Sequence, residues 1–417
     1  MTEKERIKLM KRRWLVLFAS CIINLCIGAL YVWSVFAEPM ALNLSGLLGK
    51  ELSSADLAIV FSIGNSSGFI TMIGGGFLNQ KLGPRNVVFL GGILFGIGFI
   101  ICSFAKSILG LIIGYGVASG LAMGLAYGCT ISNSVKFFPD KAGLVGGIAT
   151  ASYGISSVIL PPVADFLITK VGVSKAFFYF GIVIIVGTGI CSQFIIRCPE
   201  NFVPLGYNSA NQNSGSINST ADKNWKKMLS EAIFYVMLAM LFFGAVLGMM
   251  VISQASAIAQ NMAGMTAAKA ALIVSVLALF NTFGRIISGS ISDRIGSALT
   301  LRGVFAVAVI AIVLLYLNAG VALFCIGICM VGFCFGSFMG VYPGFTSKQF
   351  GRKNSSINYG IMFIGFNAAG LIGPIIMGRI YSGTGAYSLA FIIALVFALI
   401  KDGISSKLIT PFSKTPM

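Results

Sequence analysis

Arg285 is the residue whose surroundings most need explaining. It lies inside the run Ala270 to Gly296, which is apolar enough to cross a bilayer. A cation at that depth is costly unless it faces a protein interior or a water-filled cavity, so it marks a functional site by default. Its planar guanidinium can grip a carboxylate with two parallel hydrogen bonds, which a lysine cannot copy. Asn281 lies four residues earlier on the same helix face, placed to bond an anion or to orient the guanidinium. The competing reading is structural: an arginine bonded to carbonyls or reaching for the membrane surface, and an asparagine joining helices. Eight residues beyond Arg285, roughly 12 Å along a helix, the charged pair Asp293-Arg294 sits in the turn Gly289-Ser-Ile-Ser-Asp293-Arg294-Ile-Gly296.

Three tyrosines lie well inside other apolar runs: Tyr31, Tyr127 and Tyr342. Their rings could pack a small apolar body while their hydroxyls bond a carboxylate, or they could be packing aromatics. Trp33 reads as helix packing, and Glu38 and Asp165 as residues near the ends of spans. The chain has no histidine, and its nine cysteines fall mostly in apolar runs without metal-ligand spacing. No metal, no cofactor and no catalytic residue is expected, and an enzyme is disfavoured.

The elements that must hold these residues follow from composition. Of 417 residues 57% are hydrophobic and 10% charged, and mean hydropathy is +0.93. A soluble domain carries about 25% charged residues. Apolar runs recur at roughly 14–36, 56–79, 86–105, 108–134, 143–168, 175–196, 230–254, 267–291, 303–319, 321–343, 357–380 and 387–405. The expected fold class is an all-α polytopic membrane protein of twelve helices in two pseudo-symmetric six-helix bundles, with the lipid bilayer as its first partner. The net charge of +17 does not imply nucleic acid, because the Lys and Arg residues fall in short connections. With the N-terminus inside, 22 of the 29 lie in cytoplasmic segments, which places both termini in the cytoplasm. The N-terminal MTEKERIKLMKRR reads as a retained cytoplasmic tail. The polar stretch after Arg197, rich in Asn, Ser and Gly, reads as a flexible linker. The expected division is 1–196, a cytoplasmic linker at 197–229, and 230–417.

The two halves resemble each other at an offset of 213 residues. Gly76, Lys81 and Gly83 match Gly289, Arg294 and Gly296, while Phe137, Gly147 and Pro161 match Phe350, Gly360 and Pro374. In that register Arg285 corresponds to Met72, so the cation is not part of the repeated pattern. Repeat-built transporters place substrate near the bilayer midplane and rock one half against the other.

Twelve spans in a six-plus-six repeat, with the Asp293-Arg294 turn after span eight, resemble the major facilitator superfamily and its G-x-x-x-D-R-x-G signature. The first-half copy has Gln80 where Asp is usual. Shorter stretches resemble the oxalate/formate antiporter branch and its monocarboxylate-transporter relatives: Tyr31-Val-Trp33-Ser, Gly124-Leu-Ala-Tyr127-Gly128, Phe138-Pro139-Asp140-Lys141, Asn281-Thr-Phe-Gly-Arg285 and Asn358-Tyr359-Gly360. The resemblance implies that Arg285 binds the substrate carboxylate, that spans one, four and ten line the cavity, and that Asp293, Arg294, Lys81 and Arg85 form a conformational latch. Two departures bear on substrate. Phe366 stands where oxalate exchangers carry a span-eleven lysine, and Asn281 where proton-coupled relatives often have Asp. One cation suits one negative charge, since an unpaired buried charge is expensive.

The expected function is therefore secondary active transport of a small monocarboxylate (lactate, pyruvate or formate type) by alternating access, as proton symport or anion exchange. Substrate binding is assigned to Arg285, Asn281, Tyr31, Tyr127 and Tyr342. The alternatives are an oxalate/formate-type dicarboxylate exchanger and a membrane sensor without transport. The expected partners are a small carboxylate and a proton or counter-anion, with the chain a monomer in a bacterial inner membrane.

Overall fold

The computed structural model describes residues 3–54, 56–200, 202–205 and 222–409. Among these the chain is helical, with no strand: α1 Glu3–Ile27, α2 Trp33–Leu48, α3 Ala58–Leu82, α4 Pro84–Ser103, α5 Ile108–Leu111, α6 Gly120–Phe137, α7 Ala142–Gly154, α8 Ser156–Val171, α9 Val173–Ser192, α10 Trp225–Leu229, α11 Ala232–Ser253, α12 Ala255–Ala263, α13 Ala267–Ile295, α14 Ser297–Leu317, α15 Val321–Phe350, α16 Ser355–Met362, α17 Ile364–Thr384 and α18 Ser388–Ile409. Eleven helical stretches are long and apolar enough to cross a membrane, and α18 adds a shorter apolar helix at the position of the twelfth run.

Several spans are not single rods. Span one joins α1 to α2 through a 3₁₀ segment, Gly28–Val32, and so runs from Glu3 to Leu48. The basic N-terminal stretch is helical from Glu3: Arg13 is buried, and Arg6 donates from Nε to the Val203 carbonyl at 2.6 Å. Span four passes through a π-helical stretch, Ile112–Ser119, between α5 and α6. Span five breaks at Ile155 and span eleven at Phe363. The edges of the expected linker are also placed. Phe202 is fully buried, 5.8 Å from Phe137 between ring centroids, and α10 occupies 225–229. Residues 201 and 206–221 of that linker lie outside the described residues.

The chain forms two compact units. The first comprises Met1–Phe137, Ser152–Leu205 and Tyr359–Ile361, and the second Phe138–Ala151, Gly206–Asn358 and Met362–Met417. The first half of span five therefore groups with the later helices, and three residues of span eleven with the earlier ones.

In the first unit α3 and α6 touch along a glycine seam. A Cβ on Gly120 would lie 2.5 Å from the Gly64 carbonyl oxygen, one on Gly124 would overlap the Gly68 carbonyl, and one on Gly128 would meet Met72 Cγ at 2.9 Å. Without a hydrophobic drive between helices in lipid, such close backbone approach supplies the packing attraction. An aromatic core of Trp33, Phe36, Phe95, Phe99, Tyr115 and Phe177 fills the space beside it, and the Tyr115 hydroxyl donates to the Leu30 carbonyl at 2.5 Å.

The second unit repeats the seam between α13 and α15. A Cβ on Gly332 would lie 2.6 Å from the Leu277 carbonyl oxygen, while those on Gly336 and Gly340 would overlap the Asn281 and Arg285 carbonyls. Gly120, Gly124 and Gly128 thus have counterparts 212 residues on, against partners 213 residues on. The turns match as well: Gly83 and Gly296 both hold positive φ, 82° and 89°, where a side chain would be strained.

Candidate anion site and the Asp293 clasp

Arg285 lies in the middle of α13 and is 3% exposed. Its Nε donates to Asn281 Oδ1 at 3.1 Å, the bond expected of residues one helical turn apart. Its Nη1 donates to the Thr150 carbonyl at 2.6 Å, a partner on α7. Among the described residues Nη2 makes no hydrogen bond. Two donors therefore fix the plane of the guanidinium, and one edge keeps donors to offer. The approach of α7 depends on Gly147, where a Cβ would overlap the Arg285 carbonyl oxygen. Arg285 and Asn281 are brought together as their spacing predicts. The Thr150 carbonyl carried no signal in sequence, since any residue type supplies one.

Phe366 is buried in the same unit, its ring 4.6 Å from Phe363 and 5.9 Å from Phe335. The span-eleven position that would carry a second cation is an aromatic packing position here.

The tyrosines separate into two groups. Tyr31 and Tyr127 converge on Tyr153, with ring centroids at 5.2 and 4.8 Å. Tyr153, 5% exposed and two residues before the break at Ile155, is the member missed in sequence. Its run, Thr150-Ala-Ser-Tyr153-Gly, has no motif to single it out. Tyr31 belongs to the 3₁₀ segment of span one. Tyr342 belongs to the second unit: it is 1% exposed, and its hydroxyl donates to the Met237 carbonyl at 2.8 Å. That hydroxyl ties α15 to α11.

At the end of α13 the Asp293 carboxylate accepts backbone N–H bonds from Gly143 and Leu144, both at 2.8 Å, and the Lys348 ammonium at 2.7 Å. Gly143 and Leu144 open α7, so the carboxylate caps a helix N-terminus, where unpaired N–H groups and the helix dipole both favour an anion. One side chain thereby clasps α7, α13 and α15. Arg294, Lys81 and Arg85 are exposed. Arg85 bonds the Gln193 side chain, and Arg197 caps the end of α3 through the Asn79 and Gln80 carbonyls at 2.6 Å each. Of the four expected latch residues, Asp293 is the one joined to neighbouring helices in the second unit, and Arg85 bridges α4 to the residue that follows α9.

Comparison with known proteins agrees with this architecture. Residues 14–339 match the model of the Major Facilitator Superfamily, and the chain belongs to that family. It is 28% identical to the uncharacterized MFS-type transporter YhjX of Escherichia coli (85% of each chain) and 26% identical to the oxalate:formate antiporter of Oxalobacter formigenes (94% of this chain, 90% of that one). It is also 24% identical to monocarboxylate transporter 13 of Rattus norvegicus, over 79% of this chain and 74% of the relative. The fold matches that of the human organic anion transporter MFSD10 with a TM-score of 0.70, at 12% identity over 95% of this chain and 99% of that one. The protein is a multi-pass membrane transporter of the superfamily rather than an enzyme.

Proposed function

We propose that this transporter carries a small monocarboxylate anion of the lactate, pyruvate or formate type by alternating access, with Arg285 as the carboxylate anchor. The observation that carries the reading is a guanidinium, 3% exposed in mid-span, oriented by Asn281 and the Thr150 carbonyl while Nη2 keeps its donors. The donors left over suit a planar anion. Tyr31, Tyr127 and Tyr153 are proposed to receive the substrate's apolar body, and Asp293 with Lys348 to steady one state of the transport cycle. We retain the six-plus-six division about the linker, with both chain ends on the cytoplasmic side of a bacterial inner membrane, as the frame for this cycle. Proton symport and anion exchange both fit.

The test is counterflow in proteoliposomes with labelled monocarboxylates, comparing wild type with Arg285→Lys. Saturable exchange by wild type and loss of most of it in correctly inserted Arg285→Lys support the anchor. Wild-type rates in the variant sink it, and no exchange by any carboxylate points to a sensor. Similarity to an oxalate:formate antiporter keeps dicarboxylate exchange as a second reading. The aromatic Phe366 weighs against it, because a dianion at one guanidinium leaves a charge unpaired. Oxalate outcompeting formate and lactate in the same vesicles would favour it.

A further inference from the structure

The first three turns of α1 carry two basic faces with different fates. Arg6 and Arg13 point inward: Arg6 bonds the Val203 carbonyl, and Arg13 is 5% exposed. Lys4, Lys8 and Lys11 recur at helical spacing on the opposite face, with Arg12 beside them, and all four are exposed. None of the three lysines has a hydrogen-bond or ion-pair partner among the described residues. Further along α1 the same face is apolar and equally uncovered, with Leu15 43% and Phe18 64% exposed. Trp14, 47% exposed, stands at the change from charged to apolar.

We propose that this face is a docking site for anionic phospholipid headgroups. Leu15 and Phe18 are exposed on a membrane-spanning helix, which makes that face the lipid-facing side of α1. An exposed Trp at the polar end of such a face sits at the level of the headgroups. With a rise of about 1.5 Å per residue, Lys11 stands roughly 4.5 Å beyond Trp14, Lys8 roughly 9 Å and Lys4 roughly 15 Å. The polar layer is about 5–8 Å thick on each side of the hydrocarbon. Lys11 and Arg12 therefore lie among the phosphates, Lys8 at their edge, and Lys4 in the field beyond. The inward face, tied to Val203, holds the stripe rigid, so the lysines meet the lipid already aligned. Glu3 and Glu5 lie to either side of the stripe and leave its charge positive. Basic residues near an anionic surface strengthen binding by about fivefold each at moderate salt.

The test uses the full-length protein in detergent micelles, with retention of phosphatidylglycerol and phosphatidylcholine read by native mass spectrometry. Wild type is expected to retain phosphatidylglycerol preferentially. The triple variant Lys4→Gln/Lys8→Gln/Lys11→Gln should lose at least about tenfold of that preference, while the matching Lys→Arg triple keeps it. Lys50→Gln/Lys106→Gln/Lys170→Gln, an equal change of net charge at exposed sites elsewhere, should leave it intact. The proposal is overturned if the first variant retains the wild-type preference, or if the charge-matched control loses as much. Thermal unfolding separates loss of lipid from loss of fold, because exposed Lys→Gln changes should leave the lipid-free midpoint unchanged.

Discussion

α3 and α13 hold equivalent places in the repeat and are gripped by the same device, a glycine face presented by the fourth span of each half. Gly360 meets the Met72 carbonyl as Gly147 meets that of Arg285, the Cβ of an alanine at Gly360 lying 2.8 Å from the oxygen. The backbones are therefore alike where the side chains are not. At the three positions Gly68, Met72 and Gln80 of the first half, the second half has Asn281, Arg285 and Asp293. The glycine scaffold is repeated, and the buried cation and the capping carboxylate belong to one copy. At these three positions of one helix the second half carries side chains for binding an anion and capping a helix where the first half has glycine, methionine and glutamine.

The comparison breaks most sharply at Arg285. Arg285→Ala should lower carboxylate exchange by about 100-fold, the upper range for a hydrogen bond to a charged group, and adding Met72→Arg to that variant should not restore it. Recovery in counterflow would mean that the two positions are interchangeable. Next comes the clasp: Asp293→Asn should cut the transport rate by about tenfold through loss of charge-assisted bonds, whereas Gln80→Asn should change it little. Equal effects would erase the distinction between the two turns. Gly147→Ala and Gly360→Ala should each cost about 1–3 kcal/mol of stability by overpacking, measured as lower thermal unfolding midpoints, the first the larger. The smallest contrast lies among the tyrosines. Tyr153→Phe should raise KM a few-fold, while Tyr342→Phe should cost about 1 kcal/mol of stability and leave KM unchanged.

Most of the fold was legible because bilayer hydrocarbon permits little but apolar helices, and their runs stand out. Arg285 was legible for the same reason, since a charge in such a run has no cheap explanation. The polar first turns of α1 were not, because their sequence lacks the apolar signal that marks a span. The partners of Asp293 were hidden too: Gly143 and Leu144 act through backbone N–H groups 150 and 149 residues away. Tyr153 was missed for want of a motif, although its neighbours in space were both singled out. The glycine seam of α15 is hidden from a 213-residue comparison because its register differs by one residue from that of the rest of the repeat.

The helix that carries Arg285 runs 29 residues without interruption, while Tyr31 lies in a 3₁₀ segment and Tyr153 two residues before the break at Ile155. A charge on a stiff rod tolerates little displacement, whereas aromatic rings beside breaks in the helix can shift at small cost. Selectivity should follow that division of stiffness. Replacing a carboxylate by an amide ought to abolish recognition, yet lengthening the carbon body by a methylene or two ought to change affinity only gradually, giving a carrier strict about charge and lenient about shape.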